Sequence, residues 1–132
     1  GPKLHQGDYQ VPEGLYHIVS LNPLSHYDLS MRLDYPNQFD RSIAKSSHRT
    51  QLGGDIFIHG KKKSVGCIAI GDPGIEQLFP LVATVGVHHV SVIIAPDDLR
   101  YKKPVFGRVH PGWLPKLYRN IQLALKNFPL PY

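Results

Sequence analysis

Apolar residues in this chain fall into short runs punctuated by glycine and proline. Residues 14–21, GLYHIVSL, set Leu15, Ile18, Val19 and Leu21 among β-forming neighbours and stop at Asn22-Pro23, which predicts a strand. In residues 26–35, HYDLSMRLDY, the positions Tyr27, Leu29, Met31 and Leu33 alternate with polar ones, the period of a half-buried strand, closed by Pro36. The polar, glycine-containing stretch 37–54 predicts a loop, and GDIFIHG, 54–60, a short buried strand ending at His59. Residues 72–86 predict a helix. Asp72 suits its N-cap, Pro73 its first turn and Gly86 its stop, and Ile75, Leu78, Phe79 and Val82 recur at helical spacing, with Pro80 set to kink or split it. HHVSVIIAP, 88–96, predicts a strand, 97–112 a basic proline-containing loop, and 111–128 a C-terminal helix with Leu117, Ile121, Leu125 and Phe128 on one stripe. The sum is a mostly β domain, a β-rich α+β fold with one or two helices.

At 132 residues with 42% hydrophobic positions the chain forms one domain with a core of its own. A net charge of +5 favours an anionic partner, whether nucleic acid, anionic lipid or cell-wall polymer, or serves solubility alone. No apolar run approaches the roughly 18 residues of a membrane span, and no signal-peptide pattern is visible. The single cysteine excludes an intrachain disulfide.

That cysteine concentrates the candidate chemistry into IFIHGKKKSVGCIAIGD, residues 56–72. Cys67 is preceded by Gly66 and lies downstream of His59. A thiol attacks an acyl carbon as thiolate, which a neighbouring imidazole promotes. The tetrahedral oxyanion then needs backbone N–H donors, and Gly66 lets the backbone turn sharply at the nucleophile. Lys61, Lys62 and Lys63 raise the local positive potential. Other readings of the same residues are a core cysteine with an unrelated histidine, a zinc site recruiting Cys67, His59 and one of His88 and His89, and a non-catalytic binding module using the basic surface.

His59-Gly60, then Ser64-Val65-Gly66-Cys67, resembles the catalytic signature of the YkuD-type L,D-transpeptidases. That signature has an HG, then a Ser-His-Gly-Cys block, then an arginine two residues after the cysteine. Val65 stands here in place of the second histidine and Ala69 in place of the arginine, and the His59–Cys67 interval is short. These departures are similar to the YafK-like murein L,D-transpeptidase subgroup. Gly71-Asp72-Pro73-Gly74-Ile75-Glu76 resembles that subgroup's helix start. So do GPKLHQGDYQVPEGLY at 1–16, YPNQFDR at 35–41 and VIIAPDDLR at 92–100, so the likeness runs in order from Gly1 to Arg100.

The resemblance implies a YkuD-like β-sandwich with a mixed sheet and one or two flanking helices. It also implies a single catalytic domain over 1–132, lacking the N-terminal strand or strands that family members carry before GPK. It makes Cys67 the nucleophile, His59 the base and the Gly60 carbonyl the group that orients the imidazole. Gly66 and Cys67 amides become the oxyanion donors, and Ser64, Lys63 and Arg100 candidate substrate contacts. No metal or other cofactor is implied. The expected partners are peptidoglycan stem peptides and a wall-linked lipoprotein, in the periplasm or cell envelope. Transpeptidation, hydrolysis as a carboxypeptidase or amidase, and non-catalytic wall binding all remain open at this point.

Overall fold

The computed structural model describes residues 2–25, 28–62 and 66–128. Among these residues five strands form one sheet: β1 (Gly14–Ser25), β2 (Asp28–Leu33), β3 (Phe57–His59), β4 (Ile68–Ala69) and β5 (Ser91–Ile94), in the order β4-β3-β2-β1-β5. All neighbouring pairs are antiparallel except β3–β4, which is parallel. The sheet is therefore mixed. Residues 60–67 alone join the parallel pair, far fewer than the dozen or more such a crossover usually takes.

Alternation decides what each face of the sheet meets. Tyr16 and Ile18 of β1, Met31 and Leu33 of β2, and Ile58 of β3 point to one face, where they pack with Ile75 and Val82 of α2 (Asp72–Val85). On β5 the register splits: Val92 and Ile94 join that core, while Ile93 turns to a second one. There it meets Leu114, Leu117, Tyr118 and Ile121 of α3 (Leu114–Leu125). Helices thus cover both faces, α2 over the central strands and α3 over the β5 edge.

Three α-helices rather than one or two are present among the described residues. The addition is α1 (Gln38–Ser46), inside the stretch expected to be a loop. Its start is a capping box: the Asn37 side chain accepts from the Asp40 N–H, and Asp40 accepts from the Asn37 N–H. Only Ala44 of this helix is fully buried, and Phe39 packs against the second core.

Three further boundaries differ from expectation. β1 runs through Asn22-Pro23 to Ser25, its pairing with β2 resuming at Ser25 after a register shift, the device by which a strand absorbs a proline. The strand expected from His88 begins at Ser91, because Val87–His89 form a short 3-10 turn. α2 continues through Pro80, which is solvent-exposed, so the Glu76 carbonyl that loses its N–H partner faces water.

Candidate active site

His59 closes β3 and is 1% exposed. Its neighbours across the sheet are Ser30 of β2 on one side and Ala69 of β4 on the other. All three point away from the face that carries Met31, Ile58 and Ile68. The imidazole Nδ1 lies 2.5 Å from the Gly60 carbonyl oxygen. A carbonyl only accepts, so Nδ1 carries the hydrogen and Nε2 is the basic nitrogen.

Cys67 precedes β4 directly, two residues before the partner of His59. It lies in the bend that leads into β4, about 6.6 Å or less back along the chain from Ala69. Its side chain is partly buried, and Sγ donates toward the Asp55 carbonyl oxygen at 3.6 Å. Gly66 has φ +76°, a conformation that strains any residue with a side chain, and is itself buried.

The turn that follows His59 is tied to the start of α2. The Lys61 N–H donates to Asp72 Oδ1 at 2.9 Å, and the Gly71 N–H donates to the Lys61 carbonyl at 3.1 Å. Lys61 has φ +60°. Asp72 is therefore not the helix N-cap: that position belongs to Gly71, without a side-chain cap, and Asp72 begins the helix and spends its carboxylate on the turn.

A groove of about 130 Å³ opens beside the thiol, lined by Cys67, Gly66, Asp55, Lys3, Gln6 and Tyr9 among others. One wall is the N-terminal segment. Asp8 gathers it by accepting from the Leu4, His5 and Gln10 N–H groups and from the Lys3 ammonium, the last at 3.0 Å. Burial pushes the Asp8 carboxyl upward, but these donors outweigh it and hold the group well below the usual carboxylate range. Two longer ties dock the segment: Gln6 N–H to the Gln51 carbonyl at 2.7 Å, and Arg49 Nη1 to the Leu4 carbonyl at 2.7 Å. The Arg49 guanidinium also lies over the Trp113 ring, 4.9 Å from its centroid.

The sheet brings His59, Gly60, Gly66 and Cys67 to adjacent parallel strands and the loop joining them. Arg100 lies elsewhere, beyond β5 at the opposite sheet edge, clasped by Asp98 at 2.7 Å and donating to the Phe128 carbonyl. Lys63 and Ser64, with Val65, lie outside the described residues. His88 and His89 are exposed on the 3-10 turn before β5. Among the described residues no three His, Cys, Asp or Glu side chains converge as a metal-holding group. Sequence reasoning missed Ser30, buried opposite His59, and the N-terminal groove wall. The former was visible only as one polar position in an alternating strand, the latter not at all.

Residues 1–106 match the family YkuD, described as the L,D-transpeptidase catalytic domain. The chain is 36% identical over 121 residues to the Escherichia coli K12 protein named "Putative L,D-transpeptidase YafK", an alignment covering 86% of this chain and 47% of that protein. It therefore spans about half the length of the curated relatives it matches. Among solved structures, the helical cell shape determining protein Pgp2 of Campylobacter jejuni superposes with a TM-score of 0.54 at 28% identity, over 72% of this chain and 34% of that one. Its K307A mutant gives 0.55 at 23% identity, over 97% of this chain and 41% of that one.

Proposed function

Since the chain belongs to the YkuD family of L,D-transpeptidase catalytic domains, we propose that it carries out cysteine acyl transfer on peptidoglycan stem peptides in the periplasm or cell envelope. The observation that supports this reading is that His59 is the register partner of Ala69 on the adjacent parallel strand, two residues after Cys67, with the Gly60 carbonyl fixing the hydrogen on Nδ1.

In this reading Sγ rotates from the Asp55 carbonyl toward the imidazole and passes its proton to Nε2. The thiolate attacks the carbonyl carbon at the L-centre of the third stem residue. Gly66 and Cys67 N–H groups receive the oxyanion, the positive φ of Gly66 supplying the turn that aims them. The C–N bond to the terminal D-alanine breaks, its amine takes the proton from His59, and a Cys67 thioester remains. An acceptor amine, from another stem or a wall-linked lipoprotein, then attacks the thioester, gives its proton through His59 and releases the thiol. Water in that role makes the same site a carboxypeptidase or amidase. The chemistry assigns no task to a metal, and Arg100, engaged by Asp98, has none in this scheme.

The test is incubation with disaccharide-tetrapeptide muropeptides, with and without an added amine, read by mass spectrometry. Loss of D-alanine or a new cross-link that disappears in Cys67→Ala supports the reading. The same products from wild type and Cys67→Ala would falsify it and leave a wall-binding role.

A further inference from the structure

We infer that Asp72 is a positioning residue for the His59 base, acting through the turn Gly60–Lys61. The inference rests on the acyl-transfer reading for its purpose, but not for its geometry. The residue that follows Gly60 holds a left-handed backbone conformation, φ +60° at Lys61, which a side chain disfavours. Something must compensate, and both backbone polar groups of Lys61 are taken up by the first residues of the next helix. Its N–H donates to Asp72 Oδ1 at 2.9 Å, and its carbonyl accepts from the Gly71 N–H at 3.1 Å.

The Asp72 bond grips the peptide that carries the Gly60 carbonyl, and the Gly71 bond holds the peptide that follows it. The Gly60 C=O and the Lys61 N–H belong to one planar amide, so fixing the N–H direction fixes the C=O direction opposite to it. That carbonyl is the acceptor for His59 Nδ1. Asp72 thereby aims the acceptor that sets the imidazole tautomer, at the far end of a single rigid peptide plane. Asp72 is not among the residues that line the groove beside Cys67. It is solvent-exposed and outside both cores.

Two substitutions separate the hydrogen bond from the charge. Asp72→Asn keeps an oxygen that accepts from Lys61 and loses the negative charge at the helix start; Asp72→Ala loses both. The first readout is the imidazole of His59 by nitrogen-15 NMR. Wild type and Asp72→Asn should show the Nδ1–H tautomer, and Asp72→Ala a mixture of tautomers. The second is the rate of Cys67 alkylation by iodoacetamide at about pH 6 relative to about pH 9, where only an imidazole-assisted thiol stays reactive on the acid side. His59→Ala should lower that ratio, and Asp72→Ala should lower it about tenfold, with Asn restoring it.

An unchanged tautomer in Asp72→Ala overturns the inference, as does an alkylation ratio that falls equally in Asn and Ala, which would assign the effect to charge. If His59→Ala leaves the ratio unchanged, the Cys67–His59 pairing is what fails, and the NMR result still decides the role of Asp72.

Discussion

The thiol of Cys67 is turned toward the carbonyl oxygen of Asp55, 3.6 Å away, and Asp55 holds that carbonyl in place with a left-handed backbone at φ 52°. Aspartate tolerates this region, whereas a β-branched residue does not. Asp55→Val is expected to lower stability by about 1–2 kcal/mol, seen as an earlier urea midpoint, while Asp55→Gly stays at or slightly above wild type. The Arg32–Asp55 ion pair, 3.5 Å apart with both side chains largely in solvent, adds little. Arg32→Ala should therefore leave the midpoint nearly unmoved.

Tyr16 joins β1 to α1 by donating its hydroxyl to Asp40 Oδ2 at 2.9 Å. Burial raises the Asp40 carboxyl above its ordinary value, against the lowering effect of the Asn37 N–H and the Tyr16 hydroxyl. The folded state then binds more protons than the unfolded chain in the interval just above the usual carboxylate value of about 4. The associated stability is full below that interval and declines as pH rises through it. Asp40→Asn should flatten the decline, and Tyr16→Phe should cost about 1–3 kcal/mol at neutral pH by removing a donor from a buried carboxylate. Urea midpoints at about pH 4 and about pH 7 check both.

Asp8 carries the opposite sign. Its folded value is depressed by backbone donors and Lys3, so its contribution is present above about pH 4 and is lost as pH falls through the folded value. Asp8→Asn should remove part of the protein's acid sensitivity. The same variant should make residues 3–10 more open to limited proteolysis at neutral pH than in wild type, with cleavage sites mapped by mass spectrometry.

Gly66→Ala isolates a conformational cost. A Cβ there would meet only the Gln10 carbonyl oxygen, at an ordinary 3.6 Å, but φ is +76°. The loss of about 1–2 kcal/mol expected from thermal unfolding is therefore backbone strain, and Gly66→Asn should lose less. Muropeptide turnover should fall in the alanine variant beyond what stability explains, since the amides of residues 66 and 67 would be re-aimed.

The α2 limits and the C-terminal helix were legible because Pro73, Gly86 and the Leu117–Ile121–Leu125 stripe act locally. Helix α1 was missed for a physical reason: its apolar stripe is only Phe39, Ile43 and Ala44 within nine residues, too short to stand out from a polar stretch, and the Asn37-x-x-Asp40 cap was the other signal available. The two residues of β4 are too short to show any period, and exist as a strand only because β3 lies beside them. In the candidate site, His59, Gly60, Gly66 and Cys67 were legible as one motif because they fall within nine consecutive positions. The partner of Asp72 was not, because an acidic residue before a helix looks the same whether it caps its own helix or holds a turn eleven positions away.

The N-terminal segment beside Cys67 is held by hydrogen bonds to Gln51, Arg49 and Asp8, not by side chains sunk into either core. The groove wall and the strands that position His59 are thus separable parts of the chain. On the acyl-transfer reading, replacing residues 4–10 is expected to re-cut the groove beside Cys67 while β3 and β4 keep their register.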